Sequence, residues 1–236
     1  MTKTTLILLP GLDGTDIFYQ PLLAALPDSV QPLVISYPAS GNNSYAALLQ
    51  LVRQTVADVP ACHVLGWSFS GPLALMLAVA EPHKVRGVIL AATFVRLPNR
   101  LLSNLRFALA GPTVWLWRAV RRLPLLLRPS TDPLRRAKMQ SWKRVNARVL
   151  AARLRAILGV DVREPLCQCR QPMLYLASQR DDIVPRRNAD EMLALQPSVR
   201  VVTIPGRHQA MYTHPEAAAQ AIAEFIDQAS TSASPG

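Results

Sequence analysis

The stretch Gly66-Trp67-Ser68-Phe69-Ser70-Gly71 lies between two segments of different periodicity. The apolar run Cys62 to Leu65 precedes it and predicts a buried strand. The run Pro72 to Ala80 follows it with helical spacing, so the stretch is a sharp turn between a strand and a helix. A serine at the centre of that turn is presented at the helix N-terminus, where backbone N–H groups stabilise an anion.

Two serines of this turn compete for the role of a nucleophile. In a nucleophile elbow the reactive serine has small residues two places before it and two places after it. Ser68 has Gly66 before it and Ser70 after it, where glycine is usual. Ser70 has Pro72 after it, and proline suits the first turn of a helix better than the crowded side of an elbow. Ser68 is the preferred nucleophile, and a serine that only caps the helix is the alternative.

Composition bounds the class of protein. The 236 residues, half of them apolar, suffice for one α/β domain with an inserted subdomain. Three cysteines are too few for a disulfide framework, so we expect reduced thiols and a cytoplasmic protein. The apolar run Leu6 to Leu9 is too short for a signal peptide or a membrane span. The sequence contains no GxGxxG, Walker or zinc-ligand motif, and we expect no metal and no organic cofactor.

The net charge of +11 is concentrated in one segment. From Arg96 to Arg170 there are 17 lysines and arginines against 3 acidic residues, a net of +14, whereas the remainder carries a net of −3. This asymmetry favours an anionic partner, and solvated helix faces are the alternative. No RNA-binding motif accompanies the charge, so nucleic acid is not expected.

Short apolar runs predict strands that alternate with helical segments. The predicted strands are Thr4–Leu9, Leu33–Tyr37, Cys62–Leu65, Val85–Ala92, Met173–Ala177 and Val199–Ile204. The predicted helices outside the basic segment are Ser44 to about Ala57, Pro72–Ala80, Arg187–Leu195 and Pro215–Gln228. Such alternation predicts an α/β fold, a mostly parallel sheet of about six strands with helices on both faces.

The basic segment interrupts this alternation. It has no strand-like pattern, and Asp132 caps a long helix that is broken near Asn146 and ends at Gly159. We therefore expect an inserted helical cap over residues 95–170, a core formed by residues 1–94 and 171–228, and a disordered tail over residues 229–236.

The predicted loops after strand carboxyl ends carry reactive residue types. Active groups of parallel sheets lie in such loops. The chain order of serine, acid and histidine, together with the elbow and the helical insertion, resembles the α/β-hydrolase superfamily. The resemblance extends from about Thr4 to Phe225. Its further motifs are Pro10-Gly11 in the first loop, where the family often has His-Gly, the Asp-x-x-Val-Pro run from Asp181, and the Gly-x-His run ending at His208.

The resemblance implies a role for each site residue. Ser68 would be the nucleophile, and His208 the base that takes its proton and later protonates the leaving group. Asp181 would orient the imidazole and stabilise its cation. The backbone N–H groups of Leu12 and Phe69 would form the oxyanion hole.

Other residues of the same types are less suitable. The spacing of the Asp-x-x-Val-Pro motif favours Asp181 over Asp182 as the acid. His214 precedes Pro215 and is expected in a turn. His63 lies in a predicted strand and is expected to be structural, and His83 is expected to be solvated.

These residues predict a serine hydrolase that cleaves a carboxylic ester or thioester through an acyl-enzyme. An acyltransferase with the same triad is an alternative. A non-catalytic binding protein is another, supported only by Ser70 in place of glycine. Two groups of the insertion, Trp115–Trp117 and Leu123–Leu127, either line an acyl pocket or form the cap's own core. The basic cap is expected to dock an acidic acyl carrier protein or an anionic membrane surface.

Overall fold

A parallel sheet forms the centre of the computed structural model, which describes residues 3–96, Trp115 and residues 131–231. The described residues form six strands in the order β2-β1-β3-β4-β5-β6, and every neighbouring pair is parallel. The strands are β1 (Thr4–Leu9), β2 (Val30–Val34), β3 (Cys62–Trp67), β4 (Val85–Ala91), β5 (Met173–Ser178) and β6 (Arg200–Ile204).

Helices cover both faces of the sheet. They are α1 (Gln20–Ala25), α2 (Tyr45–Thr55), α3 (Gly71–Ala80), α4 (Pro133–Arg144), α5 (Ala147–Gly159), α6 (Arg163–Gln168), α7 (Arg187–Leu195), α8 (Ala210–Thr213) and α9 (Pro215–Thr231). Two short 3-10 helices span Ile17–Tyr19 and Ser68–Ser70. The predicted α/β architecture is confirmed.

The side-chain alternation of β1 shows how the two layers form. Leu6 and Leu8 point into one cluster with α1 and α9, whereas Ile7 and Leu9 point into another with α2, α3 and α7. All four leucine and isoleucine side chains are fully buried. A strand buried on both faces needs a continuous apolar run, and for this reason the sequence predicts β1 correctly.

The second strand lies earlier than the sequence analysis predicts. The sequence predicts this strand at Leu33–Tyr37, after Pro32. In the structure β2 spans Val30–Val34 and contains that proline. β2 is an edge strand, and only an edge strand readily tolerates the missing N–H of a proline. Tyr37 is instead in the loop beyond β2, where its N–H donates to the Gly14 carbonyl at 2.9 Å.

The last helix is longer than predicted, which corrects the start of the tail. Residues 229–231 continue α9 instead of being disordered. Ala229 is 8% exposed and follows Ile222, Phe225 and Ile226 on the buried side of the helix, so packing extends it. Residues 232–236 lie outside the described part of the chain.

The described part of the insertion is helical. Asn146 caps α5 by accepting the Val149 N–H at 2.8 Å, and this confirms the predicted break between α4 and α5. α6 contacts α3 and α7, and its Leu166 is fully buried in the core. The domain limits stay a prediction, and residues 97–114 and 116–130, with most of the proposed acyl-pocket side chains, lie outside the described residues.

No helix in the described part of the chain combines the length and the apolar character needed to cross a bilayer. Cys62, Cys167 and Cys169 are all free thiols. The cytoplasmic location stays a prediction.

Candidate active site

The turn after β3 holds Ser68 in a strained conformation. Its φ of 54° lies in the left-handed region, which is costly for a residue with a side chain and is typical of a nucleophile elbow. A Cβ at Gly66 would collide with the Ser70 carbonyl oxygen, so only glycine permits the turn to close this tightly. The Thr93 hydroxyl donates to the Ser68 carbonyl at 2.5 Å and holds the turn against the end of β4.

Ser68, His208 and Asp181 form one hydrogen-bonded chain. Ser68 Oγ lies 2.9 Å from His208 Nε2, and His208 Nδ1 lies 2.9 Å from Asp181 Oδ2 and 3.0 Å from Oδ1. The histidine and aspartate side chains are only 5% and 7% exposed. A carboxylate beside Nδ1 fixes the proton there and leaves the Nε2 lone pair facing the serine hydroxyl.

The loop after β5 positions Asp181 rather than Asp182. Asp181 Oδ1 accepts the N–H groups of Ile183 and Val184, each at 2.8 Å, which aims the carboxylate back toward the histidine. Asp182 points outward and pairs with Arg207 at 2.8 Å, with 46% of its side chain exposed. That arginine lowers the pKa of the Asp182 carboxyl.

The other histidines lie elsewhere. His214 Nδ1 is 2.9 Å from the Thr213 hydroxyl in the turn before α9, and His83 is exposed. His63 is buried in β3 near the opposite end of the sheet, and burial lowers its pKa to about 4. None of the three contacts Ser68 among the described interactions, as the sequence analysis expects.

Ser70 is fully buried and has a different task from Ser68. Its hydroxyl lies within hydrogen-bond distance of the Pro10 carbonyl oxygen and of the Tyr37 hydroxyl. Ser68, in contrast, is only partly buried and points toward His208. The serine that replaces the usual glycine therefore links the elbow to the loop after β1.

The residues proposed for the oxyanion hole flank the elbow. Leu12 is in the loop after β1, and its carbonyl accepts from Arg153 Nη1 at 2.9 Å. Phe69 is fully buried, its carbonyl accepts from the Tyr45 hydroxyl at 2.7 Å, and its ring stacks on Tyr45 with centroids 4.8 Å apart. The assignment of their N–H groups to an oxyanion stays a prediction.

Two contributors to the site were not found from the sequence. Trp67 packs its ring on the His208 imidazole with centroids 5.8 Å apart. Arg153, on α5, is 1% exposed and reaches the loops after β1 and β2. One signal was available for Arg153: it follows Val149 by four residues and so lies on the buried face of the helix.

Parts of the insertion lie over these loops. Tyr212 of α8 donates to the Pro133 carbonyl of α4 at 3.1 Å, and Asn146 donates to the Ala39 carbonyl beyond β2 at 2.7 Å. α4 and α5 therefore sit at the carboxyl end of the sheet, at the same end as Ser68.

The chain is similar to known proteins over most of its length. A model of the alpha/beta hydrolase family matches residues 6–221. The biotin biosynthesis bifunctional protein BioHC of Cellvibrio japonicus is 24% identical over 248 residues, and this chain spans only 49% of its length while 98% of this chain is covered. A pimeloyl-acyl-carrier-protein methyl ester esterase of Yersinia enterocolitica is 27% identical over 183 residues, which cover 71% of this chain and 70% of that protein.

Solved structures agree on the architecture. The crystal structure of a hydrolase from Pseudomonas aeruginosa PA01 superimposes with a TM-score of 0.80, covering 95% of this chain and 90% of that chain. The sequence identity is 22%, so this likeness concerns the fold alone.

Proposed function

We propose that this chain, which belongs to the alpha/beta hydrolase family, is a carboxylic ester hydrolase that works as a serine esterase through an acyl-enzyme on Ser68. The observation that carries this proposal is the uninterrupted Ser68–His208–Asp181 hydrogen-bond chain at the carboxyl end of the sheet. A neutral serine hydroxyl is a weak nucleophile, and an adjacent imidazole with a free Nε2 lone pair is the group that activates it.

The first half-reaction acylates the enzyme. Ser68 Oγ attacks the ester carbonyl carbon while His208 Nε2 takes the hydroxyl proton, and Asp181 stabilises the resulting imidazolium. The carbonyl oxygen becomes an oxyanion, which the N–H groups of Leu12 and Phe69 would receive. The tetrahedral intermediate collapses, the C–O bond to the alcohol breaks, and His208 returns its proton to the leaving alkoxide.

The second half-reaction releases the acid. Water gives one proton to His208 Nε2 as its oxygen attacks the acyl carbon on Ser68. The bond between that carbon and Ser68 Oγ then breaks, His208 returns the proton to Oγ, and the carboxylic acid leaves. An acyltransferase would use another alcohol or thiol in this step. The ratio of free acid to transferred product, measured with an added acceptor, distinguishes the two.

The substrate proposal concerns acyl esters linked to a carrier protein. Relatives named as methyl ester esterases of a pimeloyl-acyl carrier protein support it, at 24–29% identity. Exposed basic residues on α4 and α5, including Lys143 and Arg148, also support it because an acidic carrier would dock there. An anionic membrane surface is the competing partner for the same charge.

A serine-directed probe tests the catalytic proposal. A fluorophosphonate is expected to label the native protein at Ser68, and Ser68→Ala is expected to remove both the label and ester hydrolysis. The matched control is Ser141→Ala, another buried serine of the described chain that lies in α4. Labelling that persists in Ser68→Ala, or hydrolysis at the native rate, would contradict the proposal.

Charge reversal at two ends of the molecule tests the carrier proposal. Lys143→Glu with Arg148→Glu is expected to lower kcat/KM for a carrier-linked methyl ester by about tenfold and to spare a small neutral ester. The control, Lys3→Glu with Arg86→Glu, makes the same charge change at the amino end of the sheet, where both residues are exposed. Equal losses from both pairs would mean that net charge alone matters, and binding of the native protein to anionic vesicles instead of the carrier would favour the membrane.

A further inference from the structure

We propose that Ser70, Tyr37 and Arg153 are positioning residues for the oxyanion hole. They fix the loop Pro10–Gly14, here called the oxyanion loop, which carries the Leu12 N–H. This inference rests on the proposed function, because it assigns that N–H to the transition state.

Three successive carbonyl groups of the oxyanion loop are each held by a donor. The Ser70 hydroxyl donates to the first, at Pro10, and the Gly14 N–H donates to the second at 2.9 Å. Arg153 Nη1 donates to the third at 2.9 Å. Since the second carbonyl belongs to the same peptide group as the Leu12 N–H, these bonds set the direction in which that N–H points.

The hydrogens between Ser70 and Tyr37 can be assigned. A carbonyl oxygen only accepts, so the single Ser70 proton goes to Pro10 and the Ser70 oxygen must accept from Tyr37. The Tyr37 and Ser70 oxygens are 2.5 Å apart. Burial raises the pKa of Tyr37, which keeps its hydroxyl a donor at neutral pH. The Tyr37 hydroxyl thus orients the Ser70 hydroxyl, which in turn binds the Pro10 carbonyl of the oxyanion loop.

Arg153 completes this arrangement from the insertion. Its Nε donates to Asn43 Oδ1 at 3.0 Å, its Nη2 donates to the Pro38 carbonyl at 3.1 Å, and its guanidinium lies 5.4 Å from the Tyr37 ring centroid. Burial lowers its pKa to about 10, so it remains charged at neutral pH. Gly14 has a φ of 68°, and a Cβ there would collide with the guanidinium.

Burying an arginine is costly, and here three of its donors reach oxygen acceptors on the loops around the oxyanion loop. Preorganised donors stabilise an oxyanion because no reorganisation is needed when the charge develops. A loop held at three carbonyls has that property. The usual small glycine at position 70 could not supply the first of these bonds.

Kinetics of single variants test the proposal. Ser70→Ala and Arg153→Met are each expected to lower kcat for a small neutral ester by about tenfold, less than the roughly 10²- to 10³-fold cost of removing an oxyanion donor outright, because the Leu12 N–H is misplaced and not lost. KM is expected to stay within about twofold because the ground-state carbonyl depends less on that donor. The affinity of an alkyl boronic acid, which forms a tetrahedral adduct with Ser68, is expected to fall by the same factor as kcat/KM.

Two matched variants separate positioning from stability. Ser141→Ala removes another buried serine hydroxyl, and Arg144→Met removes an ion pair at 3.0 Å between α4 and Asp16 of the core. Neither contacts the oxyanion loop in the described interactions, so both are expected to keep native kcat and boronic acid affinity even if Tm falls.

The proposal is overturned if Ser70→Ala and Arg153→Met lower Tm but keep native kcat and boronic acid affinity. If Ser70→Ala does not fold, Tyr37→Phe replaces it, with a smaller loss of about threefold in kcat at unchanged KM; native kcat in that variant overturns the proposal. Failure of the proposed function is visible in the native protein itself, as absence of both hydrolysis and Ser68 labelling, and would remove the premise as well.

Discussion

Two buried histidines at opposite ends of the sheet have opposite environments. His208, 4% exposed, has a carboxylate on one ring nitrogen and a serine hydroxyl on the other. His63, 2% exposed, lies in β3 and forms a T-shaped ring pair with Phe225, and among the described residues its Nδ1 has no hydrogen-bond partner.

The difference shows that burial alone does not give a histidine the hydrogen-bond partners that general base catalysis needs. Desolvation lowers the pKa of His63 to about 4, so it is a neutral core side chain at physiological pH. The proposed role of His208 depends on two loops that bring partners to both ring nitrogens. Those loops converge because the carboxyl ends of parallel strands lie at one edge of the sheet.

The largest expected effect separates the two histidines by activity. His208→Ala is expected to lower kcat for a p-nitrophenyl ester by at least about 10⁴-fold, because Ser68 loses its base. His63→Leu replaces the buried imidazole by an apolar side chain of similar size, and it is expected to keep kcat within about twofold. A comparable loss in a folded His63→Leu protein would end the comparison.

The next effect separates the two adjacent aspartates. Asp181→Asn is expected to lower kcat by about 10³- to 10⁴-fold because the amide no longer fixes the productive tautomer of His208. Asp182→Asn is expected to be near native because that carboxylate pairs outward with Arg207. The reverse ranking, measured with the same ester, would move the acid of the triad by one residue.

A stability measurement sharpens the account of His63. Its pKa is about 4 in the folded state and about 6.5 in the unfolded chain, so between these values only the unfolded chain binds the proton. The free energy of unfolding should therefore fall by up to about 3 kcal/mol as the pH drops from 6.5 to 4. Urea unfolding across this range should show His63→Leu to lose less stability than the native protein, and parallel curves would contradict the assignment.

The smallest expected effect concerns the surface pair beside the triad. Arg207 and Asp182 join the same two loops as His208 and Asp181, but with side chains 70% and 46% exposed. Solvent and salt screen such a pair, so Arg207→Gln should leave both Tm and kcat unchanged within error. A clear loss of kcat would show that this pair helps to position the loops.

Much of the fold could be predicted from the sequence because buried parallel strands are nearly continuous apolar runs. β1, β3, β4, β5 and β6 were each located to within a few residues. β2 was misplaced because an edge strand is half exposed and can contain Pro32. The short helices α1, α6 and α8 were missed because four to six residues carry too little periodicity.

Part of the candidate site could also be predicted from the sequence. Ser68, Asp181 and His208 each follow a predicted strand within a short motif, so the local sequence identified them as candidates. Arg153 lies 110 residues from Asn43, and its contacts depend on how the insertion packs. No local pattern predicts such a contact, although the position of Arg153 on the buried face of its helix distinguishes this residue from the exposed arginines.

The sequence by itself determined the order of strands and helices, the sharp turn at Ser68 and the candidate residues of the triad, because each depends on neighbours within a few positions. The sequence favoured Ser68 over Ser70 and His208 over His63, but only the tertiary structure decided what each of these side chains contacts. Ser68 faces His208 while Ser70 faces the oxyanion loop, and His208 has partners while His63 has apolar neighbours. Those contacts join residues that are far apart in the chain, so they form only once the sheet has brought its loops together.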